Sequence, residues 1–283
     1  MLSGSGLSLA QVAANIGAGG GGSPYVAEAV HVATGTGLGN PSLVATGDDT
    51  GYLTYVYWFK MSGADFGNQG VMWVQDPENF YPGNSYFSDG GGAGIGFIHL
   101  QACASQDENC ISATIGATPS DPGKTVVPLD TWVPLLVSID TNRSPTSSMV
   151  LQAYLGDTQV LYVSGFEPST YYSTPAPFFQ TWNGLSLHFF DDVLNPATVS
   201  GDFADIWFAP GQFIDFSVEA NRRKFVDASG KPVYLGANGE MPTGTAPAVF
   251  FSGDATGFAT NKGTGGAFTL TGSLTNATTS PSD

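Results

Sequence analysis

Nine short runs, "YVAEAVHVAT", "GYLTYVYWFK", "GVMWVQD", "GIGFIHLQA", "TWVPLLVSID", "SSMVLQAYLG", "TQVLYVSGF", "GLSLHFF" and "FADIWFA", set the strongest limit on what this chain can become. Each is about one strand long, rich in β-branched and aromatic residues, and fenced by Gly, Pro, Asn or Asp. No helix-period stretch interrupts residues 25–215, so parallel βαβ crossovers are missing and an α/β architecture is excluded. The expected fold is all-β, an antiparallel two-sheet jelly-roll sandwich.

Faces can be assigned within two runs. In "GLSLHFF" alternation puts Leu185, Leu187 and Phe189 on one face and Ser186, His188 and Phe190 on the other. In "YLTYVYWFK" both faces are largely apolar, which places that strand centrally with cover on each side.

Three segments differ in texture. Residues 1–24 end in "GAGGGGS" and read as a flexible Gly-rich N-terminal arm. Residues 25–225 carry the runs and form the jelly-roll domain. Residues 226–283 are a C-terminal extension with turns, where "GGAFTLTGSLT" is compatible with a hairpin and "TNATTSPSD" has the composition of a disordered end.

Charge excludes one class of partner. Twenty-four acids against eight bases leave −16 over 283 residues, so phosphate backbones are repelled and nucleic-acid binding is not expected. The N-terminus lacks the features of a secretory signal, and no run is long and apolar enough for a membrane helix. With 11% charged residues, the surface is built from Gly, Ser, Thr, Asn and backbone.

Half of those eight bases gather in one place, at Arg222, Arg223, Lys224 and Lys231 around "NRRKF". A short helix after "FIDFS" accounts for them: Ser217 as N-cap, Glu219 in the first turn, and Arg222, Arg223 and Lys224 in the last turn, where the helix dipole favours cations. Ion pairs with Asp215, Glu219 or Asp227 complete this reading. The alternative is a docking point for an acidic neighbouring subunit.

The order of "YLTYVYWFK", "DTWVPLLVSIDT", the hairpin-like "MVLQAYLGDTQVLYV" and "GDFADIWFAPGQFIDFS" resembles the concanavalin A-like lectin/glucanase superfamily, in particular its laminin G-like jelly rolls. The stretch from "ADIWFAPGQFIDFS" through "ANRRKFVDASGKPVYLGANGEMPTGTAPAVFFSGD" is similar to the tail end of jelly-roll proteins encoded among phage structural genes. That resemblance implies a virion protein, assembled in the host cytoplasm and extracellular after release, in contact with other virion proteins and with copies of itself.

Catalytic patterns are missing. Glucanases of the superfamily carry Glu-x-Asp-x-x-Glu on one strand, because retaining hydrolysis needs two carboxyls about 5 Å apart. Here Glu28, Glu78, Glu108, Glu167, Glu219 and Glu240 are scattered singly, no Gly-x-Ser-x-Gly elbow exists, and His31, His99 and His188 have no motif partner. Cys103 and Cys110 in "CASQDENC" allow a local disulfide without compelling one, and make a weak zinc signal.

Two constellations are candidate sites. Asp191, Asp192, Asp202 and Asp205 could converge through strand pairing as a hard-cation site, which makes calcium the one cofactor in view; the plain alternative is solvated turn carboxylates. Tyr81, Tyr86, Tyr171, Tyr172 and Trp182 fall in loop-like segments beside amides and hydroxyls, as in a glycan site at one rim, or else pack inward or at subunit contacts. The expected function is a non-enzymatic structural protein of a phage virion, a tail, fibre-associated or capsid-decorating component. The alternative is a carbohydrate-binding module attaching a particle or secreted assembly to cell-surface glycan.

Overall fold

A computed structural model of the chain describes residues 25–45, 52–61, 69–75, 83–88, 97–103, 110–115, 128–140, 150–164, 184, 186–190 and 199–283. Its strands are β1 (Val30–Val32), β2 (Gly37–Asn40), β3 (Tyr52–Lys60), β4 (Gln69–Gln75), β5 (Gly83–Ser88), β6 (Phe97–Cys103), β7 (Cys110–Ile115) and β8 (Val133–Asp140). After these come β9 (Val150–Leu155), β10 (Thr158–Ser164), β11 (Ser186–Phe189), β12 (Gly201–Pro210), the short helix α1 (Glu219–Arg222), β13 (Val249–Phe251), β14 (Thr269–Thr271) and β15 (Leu274–Asn276).

Two antiparallel sheets face each other. One has the order β10-β9-β8-β3-β12-β1-β15, with β13 also paired to β12, and the other has the order β14-β2-β11-β4-β5-β6-β7. This is the expected sandwich. Alternation along β3 and β12 sends Leu53, Tyr55, Tyr57, Phe59, Phe203 and Phe208 between the sheets, where they meet Leu38, Met72, Leu187 and Phe189 of the opposite layer. Burying each such side chain stabilises the fold by about 2 kcal/mol.

The other face of the same strands is covered as well. Val56, Trp58, Leu136, Tyr154 and Trp207 form a second core with Phe216, Phe225, Leu235 and Phe250 from the chain beyond β12. Trp207 donates its indole N–H to the Gly239 carbonyl at 2.8 Å, which fixes the loop that closes over it. The central, doubly covered position read from "YLTYVYWFK" is therefore the one that β3 holds, between β8 and β12.

Residues 226–283 enter both sheets. β13 and β15 join the first and β14 joins the second, so the sandwich draws strands from beyond residue 225. The stretch "GGAFTLTGSLT" is not a hairpin: β14 pairs with β2 while β15 pairs with β1. The segments 30–40 and 269–276 thus run antiparallel as one ribbon that bends from sheet to sheet. At the bend Gly35 and Gly272 hold positive φ, and a side-chain carbon on Gly272 would meet the Gly35 carbonyl oxygen at 2.6 Å.

The final residues are ordered by specific bonds. Ala27 N donates to Ser282 Oγ at 2.9 Å, Trp132 Nε1 donates to Thr279 Oγ1 at 3.1 Å, and Lys60 Nζ donates to the same hydroxyl at 2.6 Å. Their polar composition reflects attachment through hydroxyls rather than disorder.

Two further expectations change. Phe190 does not share a face with Ser186 and His188, because its φ of +62° turns the ring into the inter-sheet core, 4.6 Å from the Phe203 ring. Ser217 is not the N-cap: Val218 holds that position without a side-chain cap, and Ser217 instead donates its N–H and hydroxyl to Asp215 Oδ1. Cys103 and Cys110 are direct partners across β6 and β7, a backbone pairing that permits the local disulfide.

Candidate functional site

The residues singled out in the sequence are spread over different environments. Tyr81, Tyr171, Tyr172 and Trp182 lie outside the described residues, as do Asp191 and Asp192. Tyr86 is not in a loop; it occupies β5 opposite Gly70 and His99. Asp202 sits in a row across three strands and receives His31 Nδ1 and Lys60 Nζ, each at 2.8 Å. Asp205 serves a different set of partners. Among the described residues no group of three or more His, Cys, Asp or Glu is placed to hold a metal ion.

The cation cluster closes on its own chain. Arg222 and Arg223 both reach Asp157 in the turn between β9 and β10, at 3.0 Å through Arg222 Nε and at 2.9 and 2.6 Å through the two terminal nitrogens of Arg223. Arg223 also pairs with Glu219, as the sequence reading allowed, at 2.9 Å. The Arg222 guanidinium lies 4.9 Å from the Tyr154 ring centre. The fork holds Asp157 below the usual carboxylate range, by its hydrogen bonds with Arg223 and then Arg222. Lys224 is exposed.

The strongest site lies where β12 changes neighbour. Along one edge it pairs with β3; along the other, β1 covers Gly201–Phe203 and β13 covers Ile206–Phe208. Between those two partners the strand carries a bulge, with Asp205 and Ile206 opposite the single residue Tyr57. Asp205 stands at φ +46°, a left-handed conformation that only short polar side chains and Gly adopt readily. The bulge keeps Phe203, Ile206 and Phe208 facing the inter-sheet core and aims Asp205 at the gap between β1 and β13.

Tyr25 closes over that carboxylate, its hydroxyl 3.1 Å from both oxygens. Asp205 is 2% exposed, and burial drives its carboxyl up to about 7 against the opposing pull of the Tyr25 hydrogen bond and Lys262. Burial also raises the Tyr25 phenol, with the charge of Asp205 adding to the effect. Lys262 is pushed down by burial, an effect countered by Asp205, Glu28 and Asp254. Its ammonium donates to the Ser252 carbonyl and hydroxyl, both at 2.7 Å, and lies 5.8 Å from the Phe250 ring centre.

Above this buried pair opens a cleft of about 200 Å³. Its walls are the Tyr25 and Tyr234 rings, 5.5 Å apart and tilted by 56°, with Glu28, Lys262, Ser252 and Gly253 on the polar side. Two aromatic rings beside a carboxylate, an ammonium and a hydroxyl make a surface for a small amphipathic polar ligand. Tyr25 and Tyr234 are 209 positions apart in the sequence, and neither stands in an aromatic cluster that would have drawn attention. The one local signal was Asp205 itself, an acid in the middle of the apolar run "FADIWFA".

The fold defines the chain as an antiparallel jelly-roll sandwich. No family model matches the sequence, and no curated protein matches it. Among solved structures it is similar to a native heptameric SAP-like pentraxin from Limulus polyphemus, at 8% identity and a TM-score of 0.51, covering 90% of this chain and 97% of that one. It is also similar to a putative carbohydrate binding protein from Bacteroides ovatus, at 10% identity and TM-score 0.49, covering 91% and 62%. The enzymatically active domain of tailspike protein 2 from bacteriophage CBA120 matches at 12% identity and TM-score 0.43, over 73% and 32%. At 8% identity what is shared with the pentraxin is the fold.

Proposed function

We propose that this chain is a non-enzymatic binding module on the lectin-like jelly roll, which attaches a phage-like particle to cell-surface glycan through the Tyr25–Tyr234 cleft. The observation that carries the reading is the cleft's composition, two tilted tyrosine rings next to Glu28 and Lys262 on a sheet buried on both faces. Sugars present apolar faces that pack on such rings and hydroxyls that pair with such polar groups. Binding rather than catalysis is favoured because Asp205, the buried acid beside this site, is covered by Tyr25 and cannot reach a ligand. The particle location rests on the resemblance of residues 204–254 to phage structural proteins.

A second reading, a purely structural virion component, is favoured by the rigid plate that the doubly covered first sheet makes. A glycan array separates the two. The binding module retains at least one glycan and loses it in Tyr234→Ala; the structural component retains none and incorporates into particles.

A further inference from the structure

We infer that the cleft takes an uncharged polyhydroxyl sugar, one hydroxyl of which sits between Glu28 and Lys262 over Gly253. This rests on the reading of the cleft as a glycan site and adds the ligand's charge class. Gly253 has φ +107°, and the place a side-chain carbon would take on it is a notch: Glu28 Oε2 and Lys262 Nζ each lie 3.6 Å away, with no other heavy atom beyond the chain neighbours within 4 Å. The notch exists because position 253 has no side chain.

A group in that notch faces an acceptor on one side and a donor on the other. Lys262 has three N–H bonds, two of them directed to Ser252, which leaves one for a ligand. Glu28 is exposed and accepts. A hydroxyl satisfies both at once, since it accepts from the ammonium and donates to the carboxylate. A carboxylate there would face Glu28 with Asp205 beneath it, and an ammonium would face Lys262. The volume argues in the same direction: about 200 Å³ is below the roughly 300 Å³ at which drug-sized pockets begin, and suits one ring rather than a length of chain.

The test is a titration of the full chain, followed by calorimetry and saturation-transfer NMR at pH 6, where an amino sugar is protonated and a uronic acid ionised, with three methyl glycosides: a neutral hexoside, a glucosaminide and a glucuronide. The neutral hexoside is expected to bind, with both charged sugars weaker by about tenfold or more. In Glu28→Gln, an exposed position whose change leaves the fold intact by circular dichroism, neutral-sugar binding weakens by about fivefold to tenfold, as for the loss of a charged hydrogen bond. A charged sugar that binds as tightly as the neutral one, and is lost in Tyr234→Ala, overturns the charge class while leaving a glycan site in place. Failure of all three sugars to bind overturns this inference together with the glycan reading beneath it.

Discussion

The Tyr25 hydroxyl donates to both carboxylate oxygens of Asp205 across 180 residues of sequence, 3.1 Å to each. This contact ties the first described segment of the chain to the bulge of β12 and anchors Tyr25, one wall of the cleft. Because the acid is buried and its carboxyl is raised to about 7, it makes stability depend on pH in a defined direction.

In the unfolded chain Asp205 ionises near the ordinary aspartate value of about 3.9. Between that value and about 7 the folded state holds a proton that the unfolded state has lost, so this group's contribution falls as pH rises through the window and is constant above it. The loss is on the order of a few kcal/mol. Asp205→Asn, which tolerates the left-handed φ, removes that slope; denaturant unfolding from pH 4 to 8 measures it. Tyr25→Phe deletes a bond that lowers the carboxyl, so the break moves to higher pH.

Asp157 acts with the opposite sign. Its lowered value means that its contribution is present above the carboxylate range and is lost as pH falls through it. Asp157→Asn releases Arg222 and Arg223 and lowers Tm by a few degrees at neutral pH, less at high salt because the carboxylate is half exposed. Charge reversal of Arg222 and Arg223 destabilises the isolated protein in the same way. Intact folding with loss of particle assembly would instead assign them to subunit docking.

The outer cover is predicted to be part of the cooperative unit. Trp207→Ala leaves a cavity in the second core, frees the Gly239 carbonyl and costs about 3–5 kcal/mol. A fragment ending at residue 225 loses β13–β15 together with Leu235 and Phe250, and is expected to be insoluble or molten by near-UV circular dichroism and dye binding.

At the corner of the sandwich, Gly272→Val places a side chain against the Gly35 carbonyl and Thr36 at a φ of +75°. The expected cost is about 1–3 kcal/mol by denaturant unfolding. A neighbouring exposed change such as Thr271→Val, at the end of β14, serves as the neutral control.

What the sequence made legible follows from the range of each interaction. The two apolar faces of "YLTYVYWFK" and the absence of a helical period are properties of single segments, and they placed β3 and the fold class correctly. Alternation placed Leu187 and Phe189 but not Phe190, since a positive φ at a strand end breaks the period without a Gly to announce it. The partner of Arg222 and Arg223 is in a turn 65 residues away, so helix-dipole reasoning found the helix and missed Asp157. The cleft was hidden for the same reason: Tyr25, Asp205, Tyr234 and Lys262 meet only once β1, β12 and β13 pair. Its polar groups also do not recur at any spacing that a motif would capture.

The location of ligand binding is the claim on which the rest turns. A crystal structure of the protein with the best-binding neutral sugar tests it directly. The account predicts density for one sugar ring against Tyr234, with a hydroxyl between Glu28 and Lys262. Density at the segment containing Tyr171, Tyr172 and Trp182, with the Tyr25–Tyr234 cleft empty, would contradict it.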